Sequence, residues 1–411
     1  MTTVFEAAHR RGGIPRGLAT TGPAVLSYGF RPFFLAAGIF APLAMLAWIG
    51  ALSLGWGIGG TTYGALEWHA HEMLFGYTVA ALAGFMLTAI PNWSGRLPVS
   101  GRPLLALVLT WVAGRLAMLE PDLLGVYPAA AIDAAFLPLL AAIAAREIVA
   151  GRNWKNLKIL VALISLTAIN LAFHALVLTG GDLAIAFRAG VAVFVALVGL
   201  VGGRIIPSFT RNWLARAGAK ALPVPFGRFD VAAMVALILA LAAWTVLPGE
   251  PPSAAIAGLA AALHLVRLWR WRGIAALEEP LLLVLHLAYL FIPLGLVGVA
   301  LEAAGWLSGA SVLHVFTVGV IGMMTLGVMT RAIRGHTGRK LAASGLTSVS
   351  YVALLFAAVL RPFAELLPAH YHLLLGAAGT GWIVAFVLFV IEHGPMLAGP
   401  RQVAARGGTP L

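Results

Sequence analysis

Apolar stretches of 18 residues or more recur from about residue 33 to about residue 391, each long enough to cross the roughly 30 Å hydrocarbon core of a bilayer as a helix. In that medium every backbone amide must be paired within its own segment, so stretches of this length select helices and exclude a barrel. Composition agrees. The AVILMFWYC class makes up 61% of the 411 residues and charged residues only 10%, against about 25% in soluble domains. The reading is an all-α integral membrane protein of twelve helices, at about 33–55, 70–91, 103–119, 124–146, 156–178, 184–206, 229–247, 253–270, 280–303, 309–333, 345–362 and 370–391. Residues 1–32 and 392–411 are then tails flanking one transmembrane domain, 33–391.

The net charge of +12 carries no nucleic-acid signal, because the 27 Lys and Arg are scattered over short loops between apolar runs. With the N-terminus inside, only Arg115, Arg188 and Arg361 fall on the outer side, leaving 27 − 3 = 24 inside. This asymmetry predicts a multi-pass membrane protein with both termini cytoplasmic. The N-terminal segment, polar and long before its first apolar run, reads as a cytoplasmic tail and not as a cleaved signal. There is no cysteine, which excludes disulfides, thiolate ligands, iron–sulfur clusters and thioether-attached haem.

Residues 71–96 align without a gap onto 314–339. The segments share His71/His314, Gly76/Gly319, Gly84/Gly327, Met86/Met329 and Arg96/Arg339. Helix 6 carries a fainter echo, RIIPSFTR at 204–211 against TAIPNWSG at 88–95 and RAIRGHTG at 331–338. Related segments four helices apart predict three four-helix units in a pseudo-threefold arrangement.

Eleven histidines are many for so apolar a chain. An ionisable group at the bilayer centre costs about 3 kcal/mol, so such groups are functional candidates. His69, His71, His174 and His314 fall in the outer third, whereas His264 and His286 lie nearer the inner face. His69 and His71, two residues apart, point about 200° apart on a helix and cannot easily share one ion. His71 and His314, at matched depth, have the geometry to clamp one haem iron through neutral imidazoles. The competing reading is interfacial histidines bonded to headgroups or loop carbonyls. Glu72 has three possible tasks: orienting a ligand, relaying protons or holding a second metal. Arg188, at the outer mouth of helix 6, suits a haem propionate, with Arg115 and Arg361 at other outer ends; each has snorkelling to headgroups as its plainer alternative. Copper favours imidazole and thioether, making His69, His174 and Met73 a copper set, with His286 the most distant candidate. Asn170 and His174 share a face of helix 5. Asp133, alone in helix 4, is either a proton-path residue or an interhelical acceptor.

WHAHEMLFGY on helix 2, GGRIIPSFTRNW at 202–213, LHLAYLFIPLGL at 285–296 and HVFTVGVIGMMTLGVMTRAIRGHTGR at 314–339 together resemble the NnrS family over nearly the whole chain. The resemblance implies a twelve-helix inner-membrane protein holding haem and copper and linked to nitric oxide, nitrosative stress and denitrification. On that basis the cofactors are a non-covalent b-type haem and copper, with His71, His314 and Arg188 around the haem. The metal candidates are His71, His314, His69, His174 and His286, and Glu72, His69 and His174 are assigned to catalysis. Nitric oxide is the expected ligand, membrane lipid the surroundings, and quinol a candidate electron donor.

In outline the chain is also similar to the catalytic subunits of haem–copper oxidases and nitric oxide reductases. It departs from them in having Val312 two residues before His314, and no histidine on helices 6 and 7. A conventional binuclear centre is therefore not expected. An oxidoreductase acting on nitric oxide is the leading reading. A secondary transporter is the alternative from another class, since twelve helices and internal repeats describe many carriers; a haem- or copper-delivery protein is the third.

Overall fold

The computed structural model describes residues 22–95 and 97–402. Among these are twelve helices long and apolar enough to span a membrane and no strand, so the chain is an all-α multi-pass membrane protein. They are α1 (Phe30–Leu54), α2 (Gly60–Pro91), α3 (Arg102–Leu119), α4 (Val126–Ala150), α5 (Trp154–Thr179), α6 (Ala184–Arg216), α7 (Arg228–Val246), α8 (Pro251–Arg270), α9 (Pro280–Ala303), α10 (Gly309–His336), α11 (Gly345–Phe363) and α12 (Pro368–Ala398). Most of residues 1–32 and those after 402 lie outside the described residues, so the tails expected there are not described. Twelve crossings put both described ends at the same end of the bundle, called here the near end; the opposite end is the far end.

Two boundaries differ from the sequence expectation for physical reasons. Helix α2 starts at Gly60, ten residues before the expected 70, because GTTYGALEWHAHE is too polar to register as an apolar stretch. His69 and His71 are therefore well inside a helix. Helix α12 runs past 391 to Ala398, since Glu392 is paired with Arg334 of α10 and accepts from Ser344 and Thr347 of the loop-to-α11 junction at 2.7 Å each.

Sequence neighbours pack as pairs, α7 on α8, α8 on α9 and α11 on α12, and α12 closes back onto α1. Helices α2, α9 and α10 are the most enclosed, while side chains such as Leu43, Val161 and Leu239 face outward as a lipid-contacting surface. Where lipid is as apolar as the core, polar links between helices supply specificity. A fully buried Arg267 of α8 donates to Asp230 of α7 (2.8 Å), to the Gly199 carbonyl of α6 (3.0 Å) and to the Tyr289 hydroxyl of α9 (2.6 Å).

The repeat seen in sequence has a conformational counterpart. In α2 a π-helical segment, Glu72–Thr78, begins immediately after His71; in α10 another, Val315–Gly322, begins immediately after His314. Such wide turns are rare and concentrate at functional sites. Helices α2, α6 and α10 also line one column of three cavities. The far-end cavity, about 470 Å³, shares Thr78 and Ile321 with a narrow middle one of about 90 Å³. The middle one shares Phe85, Val201 and Val328 with a near-end cavity of about 490 Å³.

Candidate functional site

The far-end half holds two adjacent arrangements of very different character. The first is the 470 Å³ cavity, whose volume lies within the range of small-molecule and cofactor sites, roughly 300–1,000 Å³. His69 from α2 and His314 from α10 both line it. The His69 ring stacks face to face on Trp48 of α1, with centroids 4.6 Å apart and planes 13° apart, which fixes its plane. Its Nδ1 is buried without a hydrogen-bond partner. His314 Nδ1 lies 2.7 Å from the Ala310 carbonyl, four residues back on its own helix. A carbonyl only accepts, so Nδ1 carries the proton and Nε2 keeps its lone pair free. The wall also contains Arg361 of α11, ion-paired with Glu365 at 2.8 Å, and Glu365 accepts a further bond from Ser311 at 3.3 Å. Met73, Tyr77 and Trp382 make the remainder largely apolar and aromatic.

The second arrangement is a closed cluster in which every side chain is buried. His71 of α2 has Nδ1 2.9 Å from Glu72 Oε1 and Nε2 3.0 Å from Asn170 Oδ1 of α5. The same Nε2 is 3.2 Å from Asp133 Oδ2 of α4. His174, one turn beyond Asn170, places Nε2 2.9 Å from that same Oδ2, and its Nδ1 is 2.7 Å from the Tyr63 hydroxyl. Asn170 Nδ2 donates to Asp133 Oδ2 at 2.9 Å. Arg115 of α3 bridges the two carboxylates, donating to Glu72 Oε1 at 2.5 Å and to Asp133 Oδ1. Two glycines make room. A Cβ at Gly76 would fall 2.7 Å from Arg115 Nη1, and one at Gly114 would meet Asp133 Cα at 3.2 Å.

His71, Asp133 and His174 offer three ligand atoms that all lie within 4.8 Å of one another, a set compatible with a metal ion. Both imidazoles turn Nε2 toward the shared carboxylate oxygen and Nδ1 toward a second partner, Glu72 for one and Tyr63 for the other. Where a histidine binds a metal, such an outer partner on the second nitrogen fixes tautomer and ring orientation.

The family's sequence profile, described as NnrS protein, matches residues 24–401, nearly the whole chain. The chain belongs to the NnrS family. That membership links it to the nitric oxide response. No curated protein matches it.

The structure sorts the NnrS chain's candidate residues into three groups. His69 and His314 meet at the cavity; His71, Glu72 and His174 meet in the closed cluster; Arg188 and His286 join neither. Arg188 Nε donates to the Thr245 carbonyl at 3.1 Å, and Arg361 is the basic group on the cavity wall. His286 lies 2.9 Å from the Thr210 hydroxyl, beside the near-end network, with Nδ1 buried and unpartnered. His71 and His314, equivalent in the repeat, are thus not brought to one cavity. The reason lies in the neighbours: α4 and α5 present Asp133 and Asn170 to His71, whereas His314 bonds only a carbonyl of its own helix. Residues without an assigned role in the sequence reading also belong to the sites, among them Trp48, Tyr63 and Glu365. The Arg115–Asp133 pair had a readable signal, an arginine and an acid in consecutive membrane helices at matched depth.

Proposed function

We propose that the protein binds nitric oxide at a haem held in the far-end cavity by His69 and His314, with copper at His71, Asp133 and His174, and that it reduces nitric oxide with electrons from a membrane donor such as quinol. The observation that carries the reading is two histidines from α2 and α10 lining one cofactor-sized cavity with ring nitrogens left unengaged. Haem bound there would supply an iron that takes up nitric oxide when ferrous, and copper at the cluster would supply a one-electron redox centre.

The protein's own residues fit these groups. His314 offers Nε2 because Nδ1 is committed to Ala310, and Trp48 holds the His69 ring. Arg361 offers a guanidinium for a propionate, since a planar fork matches a carboxylate. Apolar and aromatic walls exclude water. In the cluster, Arg115 against the carboxylates of Glu72 and Asp133 leaves a formal charge of −1 when both imidazoles are neutral. A cation at the shared Nε2–carboxylate position cancels it, and a cuprous ion suits an imidazole set. Glu72 keeps Oε2 buried and unpaired, an atom placed to hold a proton for the reaction.

The charge asymmetry supports a cytoplasmic near end, so that both sites sit toward the periplasm. The testing experiment is a visible spectrum with iron and copper analysis of purified protein made under haem-replete conditions, followed by nitric oxide addition to the reduced form. A Soret band, bound iron and copper, and a spectral change or consumption of nitric oxide are the expected results. A spectrum without a Soret band overturns the haem reading and favours a carrier; haem and copper without any response to nitric oxide favour delivery.

A further inference from the structure

The near-end cavity has no part in the nitric oxide chemistry proposed above, yet it is as large as the far-end one. Its deep part is apolar, with Phe34, Phe85 and Val328 on the wall. Around it stand three basic side chains, Lys158 of α5, Arg204 of α6 and Arg331 of α10. Among the described residues no carboxylate lies within ion-pair distance of any of them, and the ion pairs found there are made by other residues. The two arginines are pre-arranged in another way. Arg204 lies over the Phe226 ring at 5.4 Å and Arg331 over the Phe209 ring at 4.2 Å. Stacking of this kind engages the face of a guanidinium and leaves its N–H edges free for an anion. The two arginines are also matched by the internal alignment, which puts Thr88, Arg204 and Arg331 at one register of α2, α6 and α10, and all three line this cavity.

Unpaired cations at the near end of an apolar cavity between transmembrane helices fit a ligand with an anionic head and an apolar body. In a membrane the abundant ligand of that form is an anionic phospholipid, and basic pockets between helices on the cytoplasmic side are recognised sites for such headgroups. We propose that Lys158, Arg204 and Arg331 bind the phosphate of an anionic phospholipid whose acyl chain enters the near-end cavity.

The test is lipid binding by the purified full-length protein in detergent, read by native mass spectrometry and by titration of the thermal unfolding midpoint with phosphatidylglycerol or phosphatidylcholine. Wild-type protein is expected to retain phosphatidylglycerol in preference to phosphatidylcholine. Each Arg→Gln change at 204 and 331 is expected to weaken phosphatidylglycerol binding about fivefold, the equivalent of about 1 kcal/mol for one basic residue near a membrane surface. Arg204→Lys with Arg331→Lys is expected to restore most of it and guards against loss through misfolding. Lys220→Gln with Arg272→Gln removes two cations of near-end loops outside the cavity and is expected to leave binding unchanged. Equal weakening by the loop pair and the cavity pair would reduce the effect to general surface charge and overturn the proposal. An inorganic phosphate response as large as that to phosphatidylglycerol would assign the site to a free anion and overturn the lipid reading.

Discussion

The far-end cavity and the cluster beside it are built from the same short stretch of α2, and they could hardly be more different in chemistry. At the cavity, His69 Nδ1 has no partner and His314 bonds only its own helix through Nδ1, so each imidazole keeps a ring nitrogen free. In the cluster, both nitrogens of His71 and of His174 face a partner, and one arginine binds two carboxylates. The difference shows how one helix serves two sites. Residues two apart lie on opposite sides of α2, so the WHAH stretch sends His69 to the cavity and His71 to the cluster. One site has room and free lone pairs, which suits a bulky planar cofactor. The other has no large cavity but brings three donor atoms within 4.8 Å of one another, which is compatible with a single ion.

The largest effects come from removing what each site cannot replace. His69→Ala and His314→Ala are each expected to abolish haem retention or convert it to a five-coordinate, high-spin form, while His336→Ala, on the near-end cavity, leaves the spectrum unaltered. Unchanged spectra in both of the first two variants would break the distinction between the sites. Asp133→Ala leaves a buried arginine with one carboxylate in place of two and takes the shared acceptor from His71, Asn170 and His174, and should cost about 3–5 kcal/mol, seen as a large fall in unfolding temperature or a failure to accumulate. Asp133→Asn keeps the shape and should fall less, while losing copper. A methyl group at Gly76 intrudes on Arg115, so Gly76→Ala should destabilise by about 1–3 kcal/mol without touching the cavity. Tyr63→Phe is the mildest change. The hydrogen bond itself contributes about 0.6 kcal/mol in a membrane protein, but loss of the outer partner of His174 should weaken copper binding about 10- to 100-fold. A Tyr63→Phe protein that binds copper as tightly as wild type would show that copper is not held through His174 as oriented by Tyr63.

Much of this was legible from the chain alone. Hydropathy placed twelve helices because length and apolarity are strict demands of a bilayer, and it missed the first turns of α2 because polar residues buried against other helices look like a loop. The alignment of 71–96 with 314–339 carried real structure, since both π segments follow their histidines at the same register. The same alignment misled about partners. It is blind to the residues that α4 and α5 bring against His71, and side-chain direction is decided by those neighbours. The depth argument likewise grouped His69, His174 and Met73, whereas packing puts His69 and Met73 on the cavity and His174 in the cluster. Arg361 was noted as a basic residue on the wrong side for topology, but nothing in its local sequence distinguished it from Arg188; only the fold brings it to the cavity.

The central claim is the division of labour between His69 and His71, and paired substitutions with spectra and metal analysis test it most directly. In purified, haem-replete protein, His69→Ala is expected to lose or alter the Soret band and keep copper, and His71→Ala to lose copper and keep the Soret band. The reverse pattern, with His71→Ala abolishing the Soret band and His69→Ala leaving it intact, would contradict the account.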